Sequence, residues 1–264
     1  MIVRRSVLGP FGLGVYNLLY WPYLVTTSAL FFGPALVLWA LSFWKDQKKL
    51  LHAYTSFWGA HYLAWAPFAG VRVEGREAAL RNGPCVYVSN HQSMVDILAA
   101  FAVSLPYLWV SKLENFYTPF LGWTMVLNGY VPLKRGHLPS IRRMLRRCEA
   151  RLGKGHSLFV FPEGTRSPDG TIQRFFRGAF WIAARNGVPI VPVVIEGTGG
   201  ILPKGSFHIA PEPVVTRILP PVHPRDFGGD DRLLRDHVHA LMTKELAVLR
   251  GQIAAEPGAL EYTS

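Results

Sequence analysis

The stretch "PCVYVSNHQSMVDILAAFAVS" (84–104) opens as a short β-rich run over 84–90 and continues as a helix over 93–104. Further along, "YLWV" (107–110) reads as another strand, and "GYVPL" (129–133) precedes the basic helix "SIRRMLRRCEARLGKG" (140–155). "HSLFVF" (156–161), "GAFWIAARNG" (178–187) and "VPIVPVVIE" (188–196) then supply a strand, a helix and a strand. This alternation predicts an α/β fold: a mixed, largely parallel central sheet flanked by helices. Later strands near 206–218 fit as antiparallel additions, and an amphipathic helix spans 230–250.

The chain has 264 residues, enough for one sizeable domain with a small appendage. Half of it is hydrophobic and 17% is charged, below the usual share of about 25%. The net charge of +11 points to an anionic partner. Its basic residues do not form the long runs of a nucleic-acid tail, so a membrane surface or a phosphorylated substrate fits better than nucleic acid. Cys85 and Cys148 match no metal or redox spacing and predict no disulfide, which suits a reducing cytosol.

The charge deficit is local, for no Asp, Glu, Lys or Arg occurs from Ser6 to Trp44. Within it, "WPYLVTTSALFFGPALVLWALSFW" (21–44) would span roughly 36 Å as a helix, against a hydrocarbon core of about 30 Å. Trp21, Tyr23, Trp39 and Trp44 lie towards its ends, where amphipathic rings favour the interface. Pro34 is expected to kink it. Arg4 and Arg5 in front raise the rival of a signal peptide, but the apolar run is long and ends in the basic "KDQKK", which favours a retained anchor. In "LHAYTSFWGAHYLAWAPFAGV" (51–71), Tyr54, Phe57, Trp58, His61, Tyr62 and Trp65 recur at helical spacing. An interfacial helix is the favoured reading, and a helix packed on a protein core the competing one. The expected division is a membrane-associated region (1–71), an α/β domain (72–250) with its reacting face on the cytoplasmic side, and a loose tail (251–264).

His91 falls where strand gives way to helix, the end of an α/β sheet at which ligands bind. Asp96, five residues on, can turn back to fix the imidazole tautomer and stabilise the imidazolium. It can equally close a capping box over Ser93-Met-Val-Asp96, and one side chain is not expected to serve both fully. No Gly-x-Ser-x-Gly elbow surrounds Ser93, so no protein nucleophile is evident. In "FVFPEGTRSPDG" (159–170) a strand stops at Pro162, before Glu163, Gly164, Thr165 and Arg166. Gly164 permits close backbone approach to a ligand, and Arg166 offers a fork suited to phosphate. Read alone, the same residues would also make an ordinary turn with a surface ion pair. Lys134 and Arg135, after the strand in "NGYVPLKRG" (128–136), add possible cationic contacts. The prolines of 188–196 suit a sheet edge or an irregular strand.

Taken together and in order, these stretches resemble the glycerolipid acyltransferase family, especially the 1-acyl-glycerol-3-phosphate (lysophosphatidic acid) acyltransferases. "NHQSMVD", "GYVPLKRG", "FPEGTRS" and "VPIVPVVIEGT" match its four blocks, over about residues 72 to 200. "SKLENFYTPFLGW" (111–123) resembles its Lys-x-Glu segment, with Lys112 and Glu114, and "RFFRG" (174–178) its Phe-basic-basic-Gly segment, with Arg177. The resemblance implies that the attacking hydroxyl belongs to the acceptor lipid. His91 would take its proton, Asp96 would orient His91, and the hydroxyl would attack the thioester of acyl-CoA or acyl-carrier protein. It further implies that Arg166 holds the acceptor phosphate, that Glu163 shapes its loop, and that Lys112, Arg135 and Arg177 belong to the basic set. No metal or organic cofactor is implied. Lys134 stands where the second block commonly has an acid, which leaves another lysophospholipid or a lyso-aminolipid as an alternative acceptor. The same His–Asp pair acting on water would make a thioesterase or phospholipase.

Overall fold

The structure, a computed structural model, describes residues 9–42, 49–64, 70–77, 83–210 and 212–255. Helices α1 (Pro10–Ala40) and α2 (Lys49–Ala64) come first, then β1 (Val71–Glu74), β2 (Val86–Ser89) and α3 (Val95–Ala102). β3 (Leu108–Lys112), α4 (Leu121–Asn128), β4 (Val131–Leu133), α5 (Leu138–Gly153) and β5 (Leu158–Val160) follow. The chain continues through α6 (Gly178–Asn186), β6 (Ile190–Glu196), the one-turn α7 (Thr198–Ile201), β7 (Val214–Ile218) and α8 (Asp231–Ala255).

The strands form one sheet in the order β1-β7-β6-β2-β5-β3-β4. From β6 to β4 every pairing is parallel; β7 runs antiparallel to β6, and β1 lies parallel to β7 at the far edge. β2 is buried at all four residues because parallel strands with helices on both faces meet no solvent. Among its covering helices, α6 packs on β2, α8 on β6, and α6 on α8. The largely parallel sheet and the antiparallel late strand match expectation. The placement of β1 beside β7 carries no local signal, and it requires Gly75, whose Cβ would fall 2.1 Å from the Ile218 carbonyl oxygen.

β6 is an interior strand, contrary to the edge its prolines suggest. Its register on the last strands shifts by one residue between Val193↔Ile218 and the Ile190↔Val222 bridge. Pro192 lies inside that bulge, where a missing N–H is tolerated.

α1 begins eleven residues earlier than the apolar run suggests and passes through Pro22 and Pro34 as one helix. Its 31 residues carry no charge, and it is long and apolar enough to cross a membrane. Leu18, Leu19, Val25, Leu30 and Val37 stand exposed along it. α2 corrects the interfacial reading, because it is packed between α1 and α3. Trp58 and Tyr62 are only 2% and 3% exposed, while Phe57 faces outward. The rings pack inward because their polar ends find partners: Trp58 Nε1 donates to Tyr62 Oη at 2.8 Å, and Tyr54 Oη to the Phe31 carbonyl at 3.0 Å. Gly59 permits close approach of α3, since a Cβ there would meet the Phe101 ring at 2.4 Å. Arg4, Arg5, Trp44, Trp65, the first four residues of "KDQKK" and the last nine of the tail lie outside the described residues. The start of the expected tail, 251–255, is the last turn of α8.

His52 ties α2 to the α/β core. Its Nε2 donates to the Leu105 carbonyl at 2.9 Å, and its Nδ1 faces Tyr130 Oη at 3.1 Å. Both contacts suit a neutral ring, and burial lowers the imidazole pKa from 6.5 to about 4. The unfolded chain therefore binds a proton that the folded chain refuses. This stabilisation, about 3 kcal/mol, is complete above pH 6.5 and is lost as pH falls towards 4. In detergent, the thermal midpoint of the wild type should fall relative to that of His52→Gln across this window. Parallel pH curves for the two proteins would count against it.

Candidate active site

The site forms at the carboxyl ends of β2, β5 and β6. Asn90, just past β2, clamps the neighbouring strand with a two-bond side-chain bridge. Its Nδ2 donates to the Ile195 carbonyl at 2.8 Å, and its Oδ1 accepts from Ile195 N at 2.9 Å. Gln92 reaches the same strand, donating from Nε2 to the Ile195 carbonyl and to Glu196 Oε2. His91 is thereby held between two anchored residues.

His91 Nδ1 donates to Asp96 Oδ2 at 2.7 Å. The same oxygen accepts from Gln92 N at 2.6 Å and Ser93 N at 2.8 Å, while Oδ1 accepts from the Thr198 hydroxyl. Asp96 thus both caps α3 and orients the imidazole, which corrects the expectation that one side chain could not serve both. Two oxygens with several lone-pair directions make this possible. With the proton on Nδ1, Nε2 keeps its lone pair, and it makes no hydrogen bond among the described residues. The ring lies flat on Phe161, centroids 4.1 Å apart at 13°, and the side chain is 11% exposed. The geometry is that of a preoriented base.

Glu163 is no surface charge; it is buried and holds His91 by its backbone. Oε1 accepts from His91 N at 2.7 Å, and Oε2 from Gln173 N at 2.9 Å. Burial pushes its pKa up to about 7, against the downward pull of those two N–H donors. Ser167 N donates in turn to the His91 carbonyl at 2.7 Å, so His91 is gripped on both backbone sides by the 163–167 loop. Gly164 (φ 71°) turns that loop, and a Cβ there would meet the Phe176 ring at 2.7 Å. Thr165 is exposed, and Arg166 is half-buried with no carboxylate partner among the described residues.

The remaining cations differ in their availability. Arg135 is exposed, and Lys112 makes only a loose 3.6 Å pair with Glu114. Arg177 departs from expectation: its Nε and Nη2 both bond Asp231 at the start of α8, so its fork is filled by a protein carboxylate. It fastens α6 to α8 instead of presenting an open charge.

Thr198, Gln92 and Lys204 join the site without having been singled out as site residues. For Thr198 a signal existed, a Gly-Thr pair closing an apolar strand. Gly197 adopts φ 95°, and a Cβ there would fall 1.8 Å from the Pro213 carbonyl oxygen. Only glycine makes the turn that brings Thr198 back to Asp96. Lys204 follows with no local motif. Among the described residues, no three His, Cys, Asp or Glu side chains gather in a way that could hold a metal ion.

A family model described as Acyltransferase matches residues 70–196. The chain is 40% identical over 197 residues to the 1-acyl-sn-glycerol-3-phosphate acyltransferase BAT2, chloroplastic, of Brassica napus, covering 74% of this chain and 56% of that protein. It is 32% identical over 194 residues to the 1-acyl-sn-glycerol-3-phosphate acyltransferase of Salmonella typhimurium, covering 72% of this chain and 78% of the relative. The crystal structure of the 1-acyl-sn-glycerophosphate (LPA) acyltransferase PlsC from Thermotoga maritima matches with a TM-score of 0.77 and 29% identity, covering 90% of this chain and 98% of that one. The chain spans about half the length of the plant and algal relatives it matches.

Proposed function

Because the chain belongs to the acyltransferase family, we propose that it moves a fatty acyl group from a thioester donor to the free hydroxyl of 1-acyl-glycerol-3-phosphate, giving phosphatidic acid. The observation that supports this most directly is the free Nε2 of an Asp96-oriented His91, gripped by the loop that bears an unpaired Arg166. Nε2 takes the acceptor hydroxyl proton as the oxygen attacks the thioester carbonyl. The tetrahedral intermediate collapses, the carbon–sulfur bond breaks, and the departing thiolate recovers the proton from the imidazolium. Asp96 stabilises that cation between the two transfers. The attacking group arrives on the substrate, so no protein nucleophile is needed, and the reaction asks for no metal or organic cofactor.

Arg166 holds the acceptor phosphate, with Arg135 and Lys112 as further cations and the Glu163-Gly164-Thr165 turn presenting the loop. Residues 1–71 associate with the bilayer and 72–250 form the reacting domain, which faces the cytoplasm and draws on acyl-CoA or acyl-carrier protein. The exposed apolar length of α1 supports the membrane association. Holding the acceptor beside the base turns an encounter into an intramolecular step, worth several kcal/mol, on the order of 7–11 at best.

The test is a panel of lysolipids offered with each donor, scoring ester formation and free fatty acid together. Lysophosphatidic acid should be the preferred acceptor, and free fatty acid a minor product. Release of fatty acid without ester would assign the pair to hydrolysis. In the same assay Arg166→Ala should raise the acceptor KM about tenfold or more, as loss of a charge-assisted contact does, and leave the donor KM nearly unchanged. A change confined to the donor would remove Arg166 from the phosphate.

A further inference from the structure

The segment from Leu202 to Ala210 touches both the membrane helix and the reacting residues. On one side α1 grips it. Asn17 Nδ2 donates to the Ile209 carbonyl at 3.0 Å, and Asn17 Oδ1 accepts from Ile209 N at 2.6 Å. Four residues on, one helical turn away, Trp21 Nε1 donates to the Phe207 carbonyl at 2.9 Å, with the two rings edge to face at 5.6 Å. These contacts join residues 186 to 192 positions apart, and Asn17 is a polar amide in a helix that carries no charge. On the other side Ser93, which caps α3, donates from Oγ to the Leu202 carbonyl at 2.7 Å.

Between these holds stands Lys204. Its Nζ donates to the Arg166 carbonyl at 3.0 Å. That carbonyl belongs to the peptide unit whose N–H, from Ser167, donates to the His91 carbonyl. One peptide unit therefore separates the ammonium from the backbone of the base. Lys204 is exposed, has two further N–H donors, and meets no carboxylate among the described residues. A phosphate accepts from several donors at once, and Lys204 keeps two beside the residue that bears the Arg166 guanidinium.

We propose that Lys204 is a second cation for the acceptor phosphate, set in place by α1 through Asn17 and Trp21. The inference rests on the phosphate role of Arg166 given above and extends it to a residue outside the four motif blocks. It makes the membrane helix a positioning element for the headgroup site as well as an anchor. Lys204 contributes to holding the acceptor; Asn17 and Trp21 act through Lys204.

The test is steady-state kinetics of the full-length protein in mixed lipid micelles, with lysophosphatidic acid and palmitoyl-CoA, or palmitoyl-acyl-carrier protein if only that supports turnover, varied in turn. Lys204→Ala should raise the acceptor KM about tenfold and leave the donor KM within about twofold, and Lys204→Arg should recover most of the loss. Asn17→Leu should reproduce part of the acceptor effect with Lys204 present, and add little when combined with Lys204→Ala, because the two act in series. If Asn17→Leu does not fold, Trp21→Phe, which loses the bond to the Phe207 carbonyl but keeps an aromatic ring, reads the same link. An unchanged acceptor KM in Lys204→Ala, or equal rises for both substrates, overturns the assignment. Full additivity with Asn17→Leu overturns the role of α1. A wild-type protein that acylates no lysophosphatidic acid overturns the underlying reading, and this inference with it.

Discussion

His91→Ala is expected to lower kcat for acyl transfer by about 10²–10⁴, the range that a well-placed general base supplies. The variant should still fold and bind membrane. Asp96 keeps its two backbone donors and Thr198, and Glu163 keeps the residue 91 N–H, since none of these contacts uses the imidazole. The variant loses the Nδ1 bond to Asp96 and the stacking on Phe161, and no backbone contact. Turnover, circular dichroism and vesicle sedimentation on one preparation decide the matter. Near-normal turnover in a folded variant would remove His91 from the chemistry.

Asp96 supports a second large effect that separates its two roles. Asp96→Asn keeps one oxygen where Gln92 N, Ser93 N and His91 Nδ1 converge, and its amide can face the Thr198 hydroxyl, which can accept as well as donate. Stability should therefore fall only modestly. The negative charge that steadies the imidazolium is gone, and kcat should drop about 10³-fold or more, as when a triad carboxylate is neutralised. Asp96→Ala leaves two backbone N–H groups and a hydroxyl unsatisfied in a fully buried place. At about 1–3 kcal/mol each, this should cost several kcal/mol and lower the thermal midpoint sharply. An Asp96→Asn protein with normal kcat would show that the carboxylate serves the cap alone.

The strand–helix order was legible because each segment announces its own period. The elements expected between residues 84 and 196 lie within a few residues of those observed, whereas α1 starts eleven residues early and α4 went unforeseen. The His91–Asp96 pairing was legible for the same local reason, since five residues across a strand-to-helix turn bring the two together. What lay beyond reach were the partners chosen at a distance. Arg177 looks like a free cation until Asp231, 54 residues later, takes its fork. α2 shows an aromatic face, but periodicity names a face and not what covers it; α1 and α3 do. The pairing of β1 with β7 joins the two sheet strands furthest apart in the chain and leaves a trace only in Gly75. Glu163 reads as a turn residue because its ligand is the backbone N–H of residue 91, and a backbone N–H looks the same everywhere in a sequence.

The grip on His91 also sets an order of events in time. Glu163 and Thr198 reach the His91–Asp96 unit across 72 and 102 residues, and β2 gains both neighbours only when β6 is laid down. A growing chain that has emerged as far as α5 has neither the loop that fixes the base nor the hydroxyl that completes its carboxylate. α1 needs only local bonds, which form within microseconds, whereas such long-range pairing is slow. During synthesis, then, the helix can settle among lipids while the rest is still being made. On the function proposed above, the protein would reach its lipid surface before it is competent to alter a lipid.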